Sequence, residues 1–99
     1  MKLIESNIDK IIELCRLHKV SKLFAFGSVL SKNFKQSSDI DLLVDFEDMD
    51  VIDYADNYFN LKSALEAILK RPIDLLEQQA VKNPYLKKSI DTNKQLIYG

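Results

Sequence analysis

A single cysteine, Cys15, serves the whole chain, so no internal disulfide can form. Its place among apolar residues at helical spacing makes it a core thiol, suited to a reducing compartment. Charge of neither sign is in excess. Fourteen lysines and arginines against fifteen aspartates and glutamates leave a formal net charge of −1, without the high pI that non-specific binding of long nucleic acid calls for. No run approaches the roughly 20 apolar residues of a membrane span. Charge also breaks up Met1-Lys2-Leu3-Ile4-Glu5 before a signal-like segment develops, so the cytoplasm is the expected location. Internal repeats and low-complexity linkers are missing too. What is present is ordinary for a folded domain: 99 residues, 46% hydrophobic and 29% charged, suit one domain over residues 1–99 with no room for a second core.

The apolar residues alternate between helical and extended patterns. A helix is expected from Ser6, capped by Ser6 with Asp9 three residues on, placing Ile8, Ile11, Ile12 and Cys15 on one side and His18 near its end in a capping or surface position. Leu23-Phe24-Ala25-Phe26 has the length and character of a buried strand, and residues 29–38 of a helical turn plus a loop. Asp39 to Phe46 predicts a second strand, buried on both faces by Ile40, Leu42, Leu43 and Val44. The spacing of Tyr54, Tyr58, Leu61, Leu65, Ile68 and Leu69 predicts a long helix from about Val51 to Lys70. Pro72 stops it, and a third strand follows to Glu77. Asn83-Pro84 pairs a capping residue with a first-turn proline, starting a last helix whose Tyr85, Leu86 and Ile90 are expected to face inward. Gln95-Leu96-Ile97-Tyr98 either continues that helix or forms a short strand. Strands interleaved with helices give an α/β (α+β) fold.

Acids inside the apolar strands carry the chemistry. Asp39 and Asp41 sit at i and i+2, so their carboxylates project from one face, roughly 7 Å apart at Cα. Carboxylates so spaced can converge on a hard cation such as Mg2+. Upstream, Gly27 permits an unusual φ or close phosphate approach, and Ser28 adds a hydroxyl. Together the two halves describe a nucleoside triphosphate site. Asp74, between Ile73 and Leu75, is another acid in an apolar strand, where burial would cost several kcal/mol unless a cation or strong donors meet it. The acids Asp45, Glu47, Asp48, Asp50, Asp53 and Asp56 lack the third ligand and glycine of an EF-hand and are solvated residues around a helix start.

Gly27-Ser28, ten residues, then Asp39-x-Asp41 resembles the signature of the DNA polymerase beta-like nucleotidyltransferases. The short chain resembles their minimal (MNT) members, many of which are antitoxin partners of HEPN proteins. The resemblance implies a small mixed β-sheet with helices packed on it. It implies Asp74 as a third acid, joining Asp39 and Asp41 as catalytic, metal-holding residues for two Mg2+ ions, with Gly27 and Ser28 around the phosphates of ATP. It further implies transfer of AMP to a hydroxyl, a tyrosine of a cognate HEPN toxin. The chain departs from the family form, roughly G-S-x-A-R-G, at Ser31 and Lys32. Lys32 or Lys35 can replace the lost arginine's charge but not its bidentate geometry. Two other readings stay open: an antitoxin that blocks its partner sterically with vestigial acids, and the nucleotide-binding subunit of a small-molecule nucleotidyltransferase. Tyr58 or Phe59 is a candidate wall for an adenine pocket.

Overall fold

The computed structural model describes residues 2–30 and 39–99, apart from the Ser28 side chain. Its elements are α1 (Lys2–Ser6), α2 (Ile8–Leu17), β1 (Val20–Phe26), a 3-10 turn (Gly27–Leu30), β2 (Ile40–Phe46), α3 (Val51–Leu69), β3 (Ile73–Glu77), a second 3-10 turn (Gln78–Ala80), α4 (Pro84–Asn93) and β4 (Gln95–Tyr98). The four strands form one mixed sheet in the order β3-β2-β1-β4. β1 pairs antiparallel with β2 and with β4, while β2 and β3 run parallel. Parallel neighbours need a long crossover, and α3 supplies it.

Strand alternation sorts the side chains to two faces. On one face Leu23, Ala25, Ile40, Leu42, Val44, Ile73 and Leu75 pack against Ile4, Ile11, Cys15, Leu61, Leu65 and Leu69 from the first three helices. The opposite face carries Phe24, Phe26, Asp41, Leu43 and Asp74. There α4 covers only part, with Ile90 buried at 4% exposure near buried Leu43. β2 is therefore apolar on both sides over Leu42, Leu43 and Val44, as its unbroken run of hydrophobic residues required.

Several boundaries differ from the sequence pattern for local reasons. Ser6 does not cap the first long helix. It closes the short α1, its hydroxyl bonded to Lys2 O, and Asn7 bonds back to Leu3 O instead of capping α2 with its side chain. The extra turn adds Ile4 to the core. β1 begins at Val20 because Lys19 adopts a left-handed conformation (φ 54°) that turns the chain out of α2. His18 follows α2 with Nδ1 2.8 Å from Leu14 O, a capping position. At α4 the expected cap forms: Asn83 Oδ1 accepts from the backbone N–H of Tyr85 (2.9 Å) and Leu86 (3.2 Å). Tyr85 and Leu86, however, stay 86% and 45% exposed, because α4 reaches the sheet through Ile90. The last segment is a strand, Gln95 to Tyr98, whose backbone completes the free edge of β1. Among the described residues no helix is long and apolar enough to cross a membrane.

Cys15 is fully buried, and burial pushes its thiol up from 9.0 to about 12. The unfolded chain therefore ionises near pH 9 while the folded one keeps its proton. Stability is full below pH 9 and falls as pH rises from there toward 12, by about 1.4 kcal/mol per unit. Urea midpoints measured against pH are expected to show this decline. In Cys15→Ala it should begin only above pH 10, where Tyr54 and Tyr58, both raised from 10.0 mainly by burial, take over.

Candidate functional site

The acids gather at one end of the half-covered face. β2 runs away from this end and β1 toward it, so Asp41 in β2 is the register partner of Phe26, the last residue of β1. On its other side, parallel pairing makes Asp74 of β3 the register partner of Asp41. Register partners in a sheet project to the same face, on strands about 4.8 Å apart. Asp39 precedes β2 by one residue and Asp41 by two, and is exposed. Asp41 is half-buried and Asp74 exposed. Residues 39, 41 and 74, predicted to share a site, thus lie at one end of the sheet.

Gly27 adjoins them directly. Its φ is +74°, a region that side chains rarely tolerate, and a Cβ added there would collide with Asp41 Oδ2 and lie 3.3 Å from Asp41 Cγ. The Asp41 carboxylate therefore rests against the bare Cα of the turn that ends β1. Two separate requirements, the left-handed φ and the missing Cβ, place glycine here. The Ser28 side chain and Ser31, Lys32 and Lys35 lie outside what the structure describes.

Among the described residues no three histidine, cysteine or acidic side chains are already gathered as a metal cage. The arrangement suits Mg2+ nonetheless. That ion keeps much of its water and is commonly held by one or two carboxylates together with substrate phosphates, not by an all-protein shell. Asp41 and Asp74, oxygen donors on adjacent strands, with Asp39 at the same end of the sheet, are ligands of the type that such partial coordination uses.

Two clefts border the sheet. At the outer edge of β3, Tyr54, Tyr58 and Phe59 of α3 line a cleft of about 390 Å³ with Leu75 and Leu76. The Tyr58 hydroxyl donates to Leu75 O, and its pKa is raised by burial and then by the charge of Asp74. Tyr58 and Phe59, the candidate adenine-pocket residues, line this cleft and not the one at Gly27. The cleft that does adjoin Gly27 measures about 460 Å³. Phe26, Gly27 and Leu30 form one side of it, and Leu86, Ser89, Ile90 and Asn93 of α4 the other. Its size falls within the range of small-molecule sites. Sequence reasoning missed this cleft. The available signal was the i, i+3, i+4, i+7 spacing of residues 86, 89, 90 and 93, which puts one mixed face of α4 toward the turn.

Comparison with known proteins places the whole domain. The model of the family described as polymerase beta, nucleotidyltransferase, matches residues 9–99. The chain belongs to this nucleotidyltransferase family. It is a minimal nucleotidyltransferase domain, with the small mixed sheet and packed helices of the polymerase beta-like fold. Among relatives of this nucleotidyltransferase, a Methanocaldococcus jannaschii chain assigned by name to the protein adenylyltransferases is 33% identical over 99 residues, covering 92% of this chain and 96% of its own. A solved structure described as a minimal nucleotidyltransferase superposes with a TM-score of 0.77 at 26% identity, covering 95% of this chain and 92% of that one. The structure of a tri-AMPylated Shewanella oneidensis HEPN toxin in complex with MNT antitoxin gives a TM-score of 0.66 at 26% identity, over 96% of this chain and 71% of that one.

Proposed function

We propose that this nucleotidyltransferase moves AMP from ATP to a hydroxyl, a tyrosine of a HEPN-type toxin, and so acts as its antitoxin. The observation that carries the reading is the pairing of Asp41 with Asp74 on one sheet face, hard against Gly27. The relative named for protein adenylyltransferases and the AMPylated toxin held by an MNT antitoxin support the choice of reaction and partner. The buried thiol of Cys15 suits the reducing cytoplasm.

Asp39, Asp41 and Asp74 are the residues that would hold Mg2+, two ions in this reading. When bound, such ions offset phosphate charge and lower the pKa of the attacking hydroxyl. Gly27, without a side chain, lets the β and γ phosphates approach the backbone of the Gly27–Ser28 turn. The acceptor oxygen bonds to the α phosphorus as the bond to the β phosphate oxygen breaks and pyrophosphate departs. Asp74, exposed on the outer strand, takes the proton of the incoming hydroxyl. The protein forms no covalent intermediate.

Ser31, standing where the family form has arginine, favours the second reading of a sterically blocking antitoxin. One experiment separates the two. Asp39→Asn combined with Asp41→Asn is expected to abolish label transfer from α-labelled ATP to a co-expressed HEPN partner while the complex still forms. Undiminished toxin neutralisation by that double variant would hand the function to steric blocking.

A further inference from the structure

We infer that Tyr58 and Glu66 of α3 are positioning residues for nucleotidyl transfer, clasping β3 on either side of Asp74 and so setting that acid opposite Asp41. The inference rests on the nucleotidyl-transfer reading and adds two residues to it.

The two acids in register are held unequally. Asp41 lies on β2, which has a strand on each side, whereas Asp74 lies on β3, at the edge of the sheet, with β2 as its one strand neighbour among the described residues. An edge strand leaves alternate N–H and C=O groups without partners in the sheet. Ile40 N–H donates to Pro72 O at 3.0 Å, and alternation along β3 then turns the polar groups of residues 73 and 75 outward.

Side chains of α3 meet both residues. The Ile73 N–H donates to Glu66 Oε2 at 3.1 Å, and the Tyr58 hydroxyl donates to Leu75 O. One contact falls immediately before Asp74 and the other immediately after it. The earlier helix residue reaches the later strand residue, because the helix runs back along the strand. The Tyr58 ring is itself braced, stacked on Tyr54 with centroids 6.4 Å apart and edge-on to Phe59 at 5.2 Å. The charge of Asp74 reaches the Tyr58 hydroxyl, whose pKa it raises after burial has done so. Coverage of an open edge does not by itself require both contacts to bracket the acid. A misplacement of about 1 Å costs up to roughly a hundredfold in rate, so an acid on a strand paired on one side alone needs such support.

The test uses the full chain and the substitutions Tyr58→Phe, Glu66→Leu and Glu66→Gln. Phenylalanine keeps the ring and its aromatic contacts and loses only the hydroxyl, while glutamine keeps an acceptor for Ile73 N–H. Mn2+ affinity is read by electron paramagnetic resonance with a non-hydrolysable ATP analogue present, alongside kcat, KM for ATP and the urea midpoint. Tyr58→Phe combined with Glu66→Leu is expected to weaken Mn2+ at least about fivefold, the equivalent of one or two lost hydrogen bonds. It is expected to lower kcat about tenfold with KM for ATP unchanged, since Gly27 and Asp41 are untouched. Tyr58→Phe alone, the mildest change, is expected to show the same pattern at about threefold, and Glu66→Gln to stay near native. In an Asp74→Asn background the paired substitutions are expected to leave Mn2+ affinity where Asp74→Asn alone puts it, because they act through that acid. Native Mn2+ affinity in the paired variant, or an equal loss with and without Asp74, would overturn the inference and leave the two residues as cover for the strand edge. The underlying reading fails separately, if Asp74→Asn alone binds Mn2+ and transfers nucleotide at the native level.

Discussion

Asp41→Asn is expected to lower nucleotidyl transfer by about three orders of magnitude, roughly 4 kcal/mol of transition-state stabilisation, and to leave the fold intact. Of the three acids, Asp41 is the one that joins the glycine turn to the neighbouring strands. It is flanked in register by Phe26 and Asp74, and its carboxylate packs on Gly27. Asparagine has the same shape, so the contact with the glycine turn survives. It lacks the second anionic oxygen on which a hard cation depends. Activity and stability should therefore separate. A thermal midpoint within a few degrees of the native value, alongside transfer reduced to background, is the expected pair of results. Parallel loss of both would mean that Asp41 is there for structure alone.

Gly27→Ala has the second largest expected effect, and it acts through two routes. Forcing alanine to a φ of +74° costs about 1 kcal/mol in backbone strain. The new methyl also occupies the place of Asp41 Oδ2, and something must move. The carboxylate is the mobile partner, being the end of a side chain. The expected stability loss is accordingly modest, about 1–2 kcal/mol by urea unfolding. Transfer is expected to fall at least about a hundredfold, because the displaced group is the central acid and the phosphates lose their close approach. A Gly27→Ala chain with near-native transfer would show that neither the bare Cα nor the position of Asp41 matters.

The parts of this candidate site legible in the sequence are those encoded by short-range spacing. Asp39 and Asp41 stood out because acids two apart interrupt a strand-like run, and Asp74 because Pro72 closes a helix just before another such run. The strands and the long α3 followed from periodicity, and the Asn83 cap from its proline neighbour. What escaped depends on pairing between distant segments. No local pattern states that β2 and β3 run parallel or that residue 41 registers with residue 74. The cleft beside Gly27 escaped for the same reason. Its far wall comes from residues 86–93, where Tyr85 and Leu86 were expected to turn inward because they are apolar. In the fold Ile90 alone makes the buried contact, and Leu86 borders the cleft instead. At the N-terminus a serine with an acid three residues later carried a valid capping pattern. A preceding helical turn, held by Ile4 in the core, took its place.

The central claim is that Asp39, Asp41 and Asp74 hold divalent ions against a triphosphate at Gly27. Paramagnetic Mn2+ titrated into the 15N-labelled chain with a non-hydrolysable ATP analogue tests it most directly. The amide signals of Gly27, residues 39–41 and Asp74 are expected to broaden away first, while those of Asp48, Asp50 and Asp53 persist. Preferential broadening at the acids around the start of α3, with Asp41 and Asp74 unaffected, would contradict it.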